Sequence, residues 1–358
     1  MPAGLVLVIV VGALLLAMVG NADSTLRKSE GKPRNAEWRT EVAQKVASVS
    51  DFLHLTSPRT AVDEAMGRHA EAKPESIDDL LAQQQQAAAG DGGSNDTTVD
   101  LAALTPKLRT PTQAEPLKLW VGGDSVTETF GTSMVRISES TGLFKGILDF
   151  HVSTGLAVPS YFNWPEHLVK DVIPNDDPDI VVIMFGANDG QNIKTDDGKV
   201  LERFSPEWYT EYQSRVGKTM DLLRSPDNDR LVMWLGPPPM GPSTKTHGMD
   251  RISYAAWTES KSRPWVDYVD TWPFFSNADL QFVHSLPNAD GEVRGMRQKD
   301  DIHMSTVGGD RLAWVVMADL GTHIDLAATK VPSPPLSQIA PPTVKERDEI
   351  PESVPGAI

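Results

Sequence analysis

Between residues 117 and 326 short apolar runs alternate with helical patterns, and this alternation restricts what the chain can fold into more than any other feature. The runs 117–121, 146–152, 180–185, 231–235 and 266–269 are four to seven residues long and often β-branched. Helical patterns at 127–140, 164–172, 206–223 and 307–326 separate or follow them. Strands apolar on both faces must be covered on both faces. The fold expected is therefore α/β, a three-layer sandwich whose central parallel sheet has helices on either side. Active sites in such sheets lie beyond the carboxyl ends of the strands, so the loops there are the ones to read for chemistry.

Outside this region the composition changes. Residues 3–20 are all apolar or Gly, and about 18 residues at about 1.5 Å rise give ~27 Å of helix, close to the hydrocarbon thickness of a bilayer. Residues 1–22 are thus expected to be a transmembrane anchor or, given Gly20-Asn21-Ala22, a cleaved signal segment. Arg27, Lys28, Lys32 and Arg34 follow the run, which by the positive-inside rule leaves the remainder in the cytoplasm. Residues 23–70 read as a juxtamembrane helical region, with Val42, Val46, Val49, Phe52 and Leu53 at three- and four-residue steps. The polar, Gln- and Gly-rich stretch 71–115 reads as a flexible linker. Residues 116–330 read as the folded domain, and 331–358 read as a disordered Pro-rich tail.

Of 358 residues 40% are hydrophobic, enough for a buried core. A net charge of −16 repels a phosphate backbone, so no nucleic-acid partner is expected. The absence of Cys excludes thiolate nucleophiles, disulfides and Cys-based zinc sites. No His pair has the His-x-x-x-His spacing of a catalytic metal site, and no metal or other cofactor is expected.

Three strand-to-helix loops carry candidate chemistry. The first strand ends at Gly122-Gly123-Asp124-Ser125, just before a helix opening at Thr127. Two glycines permit a sharp turn, and the helix N-terminus faces whatever Ser125 attacks, which suits a nucleophile that generates an oxyanion. The competing reading is a serine that caps the helix. The third strand leads into Gly186-Ala187-Asn188-Asp189-Gly190-Gln191, where the Asn188 amide can donate to a developing oxyanion or simply serve a turn. The last loop, Lys299-Asp300-Asp301-Ile302-His303, precedes a helix opening at Ser305-Thr306. Asp300 can fix the His303 tautomer that leaves Nε2 free as a base, with Asp301 competing for that role. Further candidates are weaker. Trp164, Trp208, Trp234, Trp265 and Trp272 can line a sugar platform or fill the core, Arg294 and Arg297 can hold an anion, and Asp270 can touch substrate or cap a loop.

These blocks, in this order, resemble the SGNH (GDSL-like) hydrolase superfamily over residues 118–326. Gly123-Asp124-Ser125 looks like its first block, 186–189 its third and 300–303 its fifth. The resemblance implies a flavodoxin-like sheet and a triad of Ser125, His303 and Asp300. It also implies an oxyanion hole from the Ser125 amide, the Asn188 side chain and Gly155, which by position belongs to the second block, 153–156. Asp189, Gln191, Arg297 and Asp270 become candidate substrate contacts. Two departures stand out: Asp301 replaces the usual glycine of the last block, and Gly190-Gln191 is not general to the superfamily. The stretch 154–165 looks like a poorly characterised branch with one N-terminal span and an extracytoplasmic catalytic domain, which sets the expected location outside the membrane, against the charge rule. The function implied is a serine esterase acting on O-acyl, chiefly O-acetyl, esters of cell-envelope glycans. An O-acyltransferase using the same triad and a non-catalytic envelope-binding scaffold are the alternatives.

Overall fold

The computed structural model describes residues 75–89, 101–241, 248–288 and 291–326. The apolar runs become five parallel strands: β1 (Leu117–Gly123), β2 (Phe144–Phe150), β3 (Ile180–Met184), then, after a short antiparallel ribbon of β4 (Ile193–Lys194) and β5 (Val200–Leu201), β6 (Leu231–Leu235) and β7 (Val266–Val269). The sheet order is β2-β1-β3-β6-β7, each strand parallel to its neighbours. Val121 stands opposite Leu148 on one side and Val182 on the other, and Val182 opposite Met233. β3 and β6 are buried at every position, as covered central strands require.

The helices are α1 (Ile77–Ala89), α2 (Thr127–Ser140), α3 (Trp164–His167), α4 (Ile173–Asp176), α5 (Pro206–Leu222), α6 (Met249–Ser260) and α7 (Thr306–Leu320). In α2 Phe130, Met134 and Ile137 recur at helical spacing and are buried. Each such side chain taken from water stabilises the fold by about 1.5–3 kcal/mol. Ser205 caps α5, its hydroxyl accepting from the Trp208 amide at 3.2 Å, and Ser305 caps α7 in the same way through Gly308 at 3.1 Å. The helical pattern at 164–172 is not continuous. α3 passes into a π turn over Leu168–Val172 before α4, where Pro174 has no amide hydrogen to continue the regular ladder.

From β1 the chain crosses through α2 to β2 on one side, whereas from β3 it crosses through α5 and α6 to β6 and β7 on the other. Right-handed crossovers in opposite directions put the two helix sets on opposite faces, where α2 packs with α7 and α5 with α6. The reversal lies between β1 and β3. Loops leaving those two strands therefore border the crevice in which such sheets hold their ligands.

One expectation is corrected here. Within the stretch read as a flexible linker, residues 77–89 form α1 against α5. Ser76 accepts from the Asp79 amide as a cap, Leu80 is buried, Asp78 pairs with Lys218 at 2.6 Å and Gln84 donates to the Leu222 carbonyl. Ala, Gln and Leu are good helix formers, and two leucines with a polar rim are enough once a partner helix is present. Residues 101–116 also lie on the domain, with Leu104 buried and Arg109 reaching Asp179 at 3.2 Å. The expected anchor at 1–22, the juxtamembrane region at 23–70 and the tail at 331–358 lie outside the described residues. Among the described residues no helix is long and apolar enough to cross a membrane.

Candidate active site

Ser125 follows β1 at the carboxyl edge of the sheet, after a turn that only glycine fits. Gly123 has φ +148°, and a Cβ there would overlap the Met184 carbonyl and Thr127 Oγ1. The residue at the α2 N-cap is Val126, and no side chain caps that helix. Ser125 is thus not a cap. Its Oγ lies 2.9 Å from His303 Nε2, although the two residues are 178 positions apart.

His303 Nδ1 stands 2.6 Å from Asp300 Oδ2, while Asp300 Oδ1 accepts from the Ile302 and His303 amides at 3.0 Å each. Burial pushes this carboxyl up, but the hydrogen bond from His303, the Ile302 amide and the imidazole's charge outweigh it and hold Asp300 at about 2. An ionised acceptor at Nδ1 requires the proton there, so Nε2 is left to accept from the Ser125 hydroxyl. Asp301 takes no part in this. Its Oδ1 lies 2.6 Å from His284 Nδ1 and its backbone is left-handed, φ +59°. That conformation accounts for the glycine usual at this position, and Asp is among the few side chains that tolerate it.

The groups expected to form an oxyanion hole gather at the same edge. Asn188 lies in the loop after β3, and its Nδ2 is buried with no hydrogen-bond partner. Neither the Ser125 nor the Gly155 amide donates to a backbone acceptor among the described residues. A buried donor without an acceptor costs about 1–3 kcal/mol, so the Asn188 amide is prepared for an acceptor that the resting protein does not supply. Two buried carboxylates set the spacing. Asp124 accepts from Val126 N at 2.9 Å and from Ala187 N at 3.1 Å, joining the Ser125 loop to the Asn188 loop. Asp189 accepts from Ala157 N and from the Tyr212 hydroxyl, both at 2.8 Å, joining the Asn188 loop to the Gly155 loop. A Cβ on Gly155 would overlap Asp189 Oδ1, which is why that position is glycine. Arg215 completes the clamp by donating to the carbonyls of Leu156 and Ala157 at 3.0 and 3.1 Å.

The family described as "Protein of unknown function (DUF459)" matches residues 118–319, more than half of the chain, and spans all of these groups. The chain belongs to the DUF459 family. No curated protein matches this DUF459 chain. Among solved structures it is similar to a gut microbial diltiazem-metabolizing enzyme (13% identity, TM-score 0.39, 61% of this chain and 49% of that one), so it spans about half of that protein's length. It is also similar to a carbohydrate acetylesterase from Sinorhizobium meliloti (15%, 0.39, 57% and 99%). A third likeness is to the C-terminal catalytic domain of peptidoglycan O-acetyltransferase A from Streptococcus pneumoniae (14%, 0.36, 58% and 94%). Likenesses this distant carry no weight beside the geometry.

Of the four candidate substrate contacts of the DUF459 chain, Asp189 and Arg297 are buried in structural roles, whereas Gln191 and Asp270 are not buried. Asp189 is fully buried and acts as the brace just described, with burial pushing its carboxyl up to about 6 against the Ala157 amide and Tyr212. Arg297 is 3% exposed. It donates to the carbonyls of Ile302 at 3.1 Å and Pro239 at 2.6 Å, so it supports the Asp300–His303 turn from behind rather than gripping an anion. Asp270, after β7, accepts from the Trp272 amide, the loop-capping alternative. Gln191 is exposed, yet its Nε2 donates to the Asn188 carbonyl at 2.6 Å and so steadies that residue. Trp164, Trp208 and Trp234 are core. Sequence reasoning overlooked Asp124, Tyr212 and Arg215. A signal existed for the last two, an arginine and a tyrosine three apart on the apolar stripe of α5 beside Trp208 and Val216.

Proposed function

We propose that this chain is a serine esterase that works through an acyl-enzyme. The observation that carries the reading is the continuous relay Ser125 Oγ, His303 Nε2, His303 Nδ1, Asp300, with contacts of 2.9 and 2.6 Å. His303 takes the hydroxyl proton as Ser125 Oγ bonds to the ester carbonyl carbon, and Asp300 stabilises the imidazolium. The carbonyl oxygen becomes an oxyanion facing the Asn188 amide and the backbone amides of Ser125 and Gly155. Collapse breaks the bond to the alcohol, which leaves with the His303 proton. Water then attacks the acyl-enzyme, gives its proton to His303 and releases the acid, returning the proton to Ser125.

Water as the acceptor is supported by the wetness of the relay: the side chains of His303 and Asp300 are 23% and 44% exposed. A short acyl group is supported by the surface. Among the described residues the large apolar side chains left exposed are four valines and Tyr161, none suited to grip a long chain. The substrate we propose is an O-acetyl or similar short ester of a cell-envelope glycan. Its support is the apolar run at 3–20, which would hold the domain beside a membrane, and the resemblance of 154–165, which alone argues for the outer side. A fluorophosphonate probe is expected to label Ser125, and Ser125→Ala to abolish both labelling and hydrolysis of p-nitrophenyl acetate. Failure to label folded protein would favour a binding scaffold. Mass spectrometry of envelope glycans should show ester loss when the protein is present, and ester gain would overturn hydrolysis in favour of transfer.

A further inference from the structure

Beside the oxyanion loop lies a second cluster that the serine chemistry does not use. Asp149, near the end of β2, has Oδ2 2.7 Å from His167 Nε2 and Oδ1 3.1 Å from His151 Nε2. One ligating atom from each residue lies within 4.8 Å of the others. All three are reachable from solvent, with side chains 24%, 37% and 21% exposed for Asp149, His151 and His167. We propose that Asp149, His151 and His167 bind one zinc ion, which braces the loop carrying Gly155.

The donor set fits the metal. Two imidazoles and a carboxylate suit zinc, whereas calcium and magnesium take oxygen-rich shells. Tetrahedral bonds of about 2.0–2.1 Å place ligand atoms roughly 3.4 Å apart, so the 3.1 Å contact of Asp149 to His151 opens by about 0.3 Å and the 2.7 Å contact to His167 by about 0.7 Å. The outer shell fits as well. His167 Nδ1 lies 2.9 Å from Asp171 Oδ2 while its Nε2 faces Asp149, so carboxylates stand at both ring nitrogens. An ion at Nε2 turns that arrangement into the carboxylate–histidine–metal relay in which Nδ1–H donates outward and fixes the tautomer. The His151 ring is steadied by stacking on Phe162 at 3.8 Å and by Trp164 edge-on at 5.3 Å. Three protein ligands leave a fourth position for water.

The location supplies the consequence. His151 donates its backbone amide to the Gly123 carbonyl at 3.0 Å, next to the nucleophile turn, and His167 ends α3. An ion bound to both closes the loop 151–167, and Gly155 lies inside that loop. Zinc would therefore hold the oxyanion amide without touching substrate.

The test reads metal, not esterase activity, so it fails or succeeds independently of the serine reading. The full chain, stripped with EDTA, is titrated with zinc chloride by calorimetry and its bound metal counted by mass spectrometry. One zinc per chain is expected, lost in the His151→Gln/His167→Gln variant and bound about 10–100-fold more weakly in Asp171→Asn, which removes only the outer carboxylate. Circular dichroism checks that each variant is folded, and if the double variant is not, Asp171→Asn decides. The proposal is overturned if the wild-type chain binds no zinc, if calcium chloride binds more tightly, or if zinc binding is the same in wild type and Asp171→Asn.

Discussion

Replacing Asn188 with Ala tests whether its amide serves the reaction or the fold. Asn188 Nδ2 is buried and unpartnered in the resting protein, so the fold carries about 1–3 kcal/mol of unsatisfied donor at that atom. If the amide exists to meet an oxyanion, its removal forfeits a bond formed only in the transition state, worth about 2.7–4 kcal/mol or a 10²–10³-fold fall in kcat. KM for p-nitrophenyl acetate should hardly change, since the ground-state ester makes little use of the donor. Stability should move the other way or not at all, because the orphaned donor leaves along with the few contacts of a half-buried side chain. In a domain of this size 1 kcal/mol shifts Tm by about 2–4 °C, so the variant should melt at or slightly above the wild-type temperature. Steady-state hydrolysis and calorimetric melting of the same preparations decide it. A kcat loss below about tenfold, roughly 1.4 kcal/mol, or a fall in Tm beyond about 8 °C would show that Asn188 is a structural residue and refute the assignment.

Three further outcomes are expected. Asp300→Asn should lower kcat on the order of 10⁴-fold by favouring the imidazole tautomer with Nε2 protonated, and a loss under about tenfold by the same assay would return the orienting role to another group. Gly155→Ala forces a methyl into Asp189 Oδ1, so urea denaturation should show a loss of about 1–3 kcal/mol, together with a fall in kcat; an unaltered midpoint and rate would mean the loop is not held there. Stability should also depend on pH. Burial, with the Asp189 charge adding, raises Asp124 from 3.8 to about 7 despite its Val126 amide bond, and burial raises Asp189 to about 6. Because the folded values exceed the unfolded ones, the native state holds more protons between them. The stability these groups contribute is therefore complete below pH 3.8 and is lost as pH rises through 6 and 7, at up to about 1.4 kcal/mol per pH unit for each group. Denaturation at several pH values should give a flatter slope in Asp124→Asn, and equal slopes would refute the assignment.

The sheet was legible because its evidence is local. Strands buried on both faces and helices with a 3.6-residue stripe each declare themselves within a dozen residues, so β1, β3, β6 and β7 begin where the apolar runs do. The Ser125, Asn188 and His303 loops were legible because a parallel sheet sends every strand-to-helix loop to one edge, so convergence across 178 positions follows from topology. Direction within a loop was not legible. Asn188 and Asp189 are neighbours, yet one amide faces the site and the next carboxylate faces the core, and only the packed Tyr212 hydroxyl reveals which. Arg297 misled for the same reason, since an arginine beside a catalytic turn looks like an anion clamp until the carbonyls of Pro239 and Ile302 are found around it. α1 was missed because its apolar face is two leucines wide and is completed by α5. Asp149, His151 and His167 show no ligand spacing because they come from a strand end and a separate helix.

The burial of two aspartates at such a site has a geometric cause. Asp124 must satisfy amides from two different loops, one at each oxygen, and Asp189 must satisfy an amide from the Gly155 loop and a hydroxyl from α5. An asparagine has one oxygen and would turn its NH₂ toward the second donor, whereas a carboxylate presents an acceptor oxygen to each of two donors that stand apart. The raised proton affinity of both groups follows from putting that connector in the interior. Each aspartate adjoins a residue of the site, Ser125 or Asn188. The result is a chain of links from the nucleophile loop through Asp124 to the Asn188 loop, and through Asp189 to Gly155. Three segments far apart in sequence are thereby fixed relative to one another before any ester arrives, which is what makes an unpartnered Asn188 amide tolerable in the resting fold and useful at the transition state.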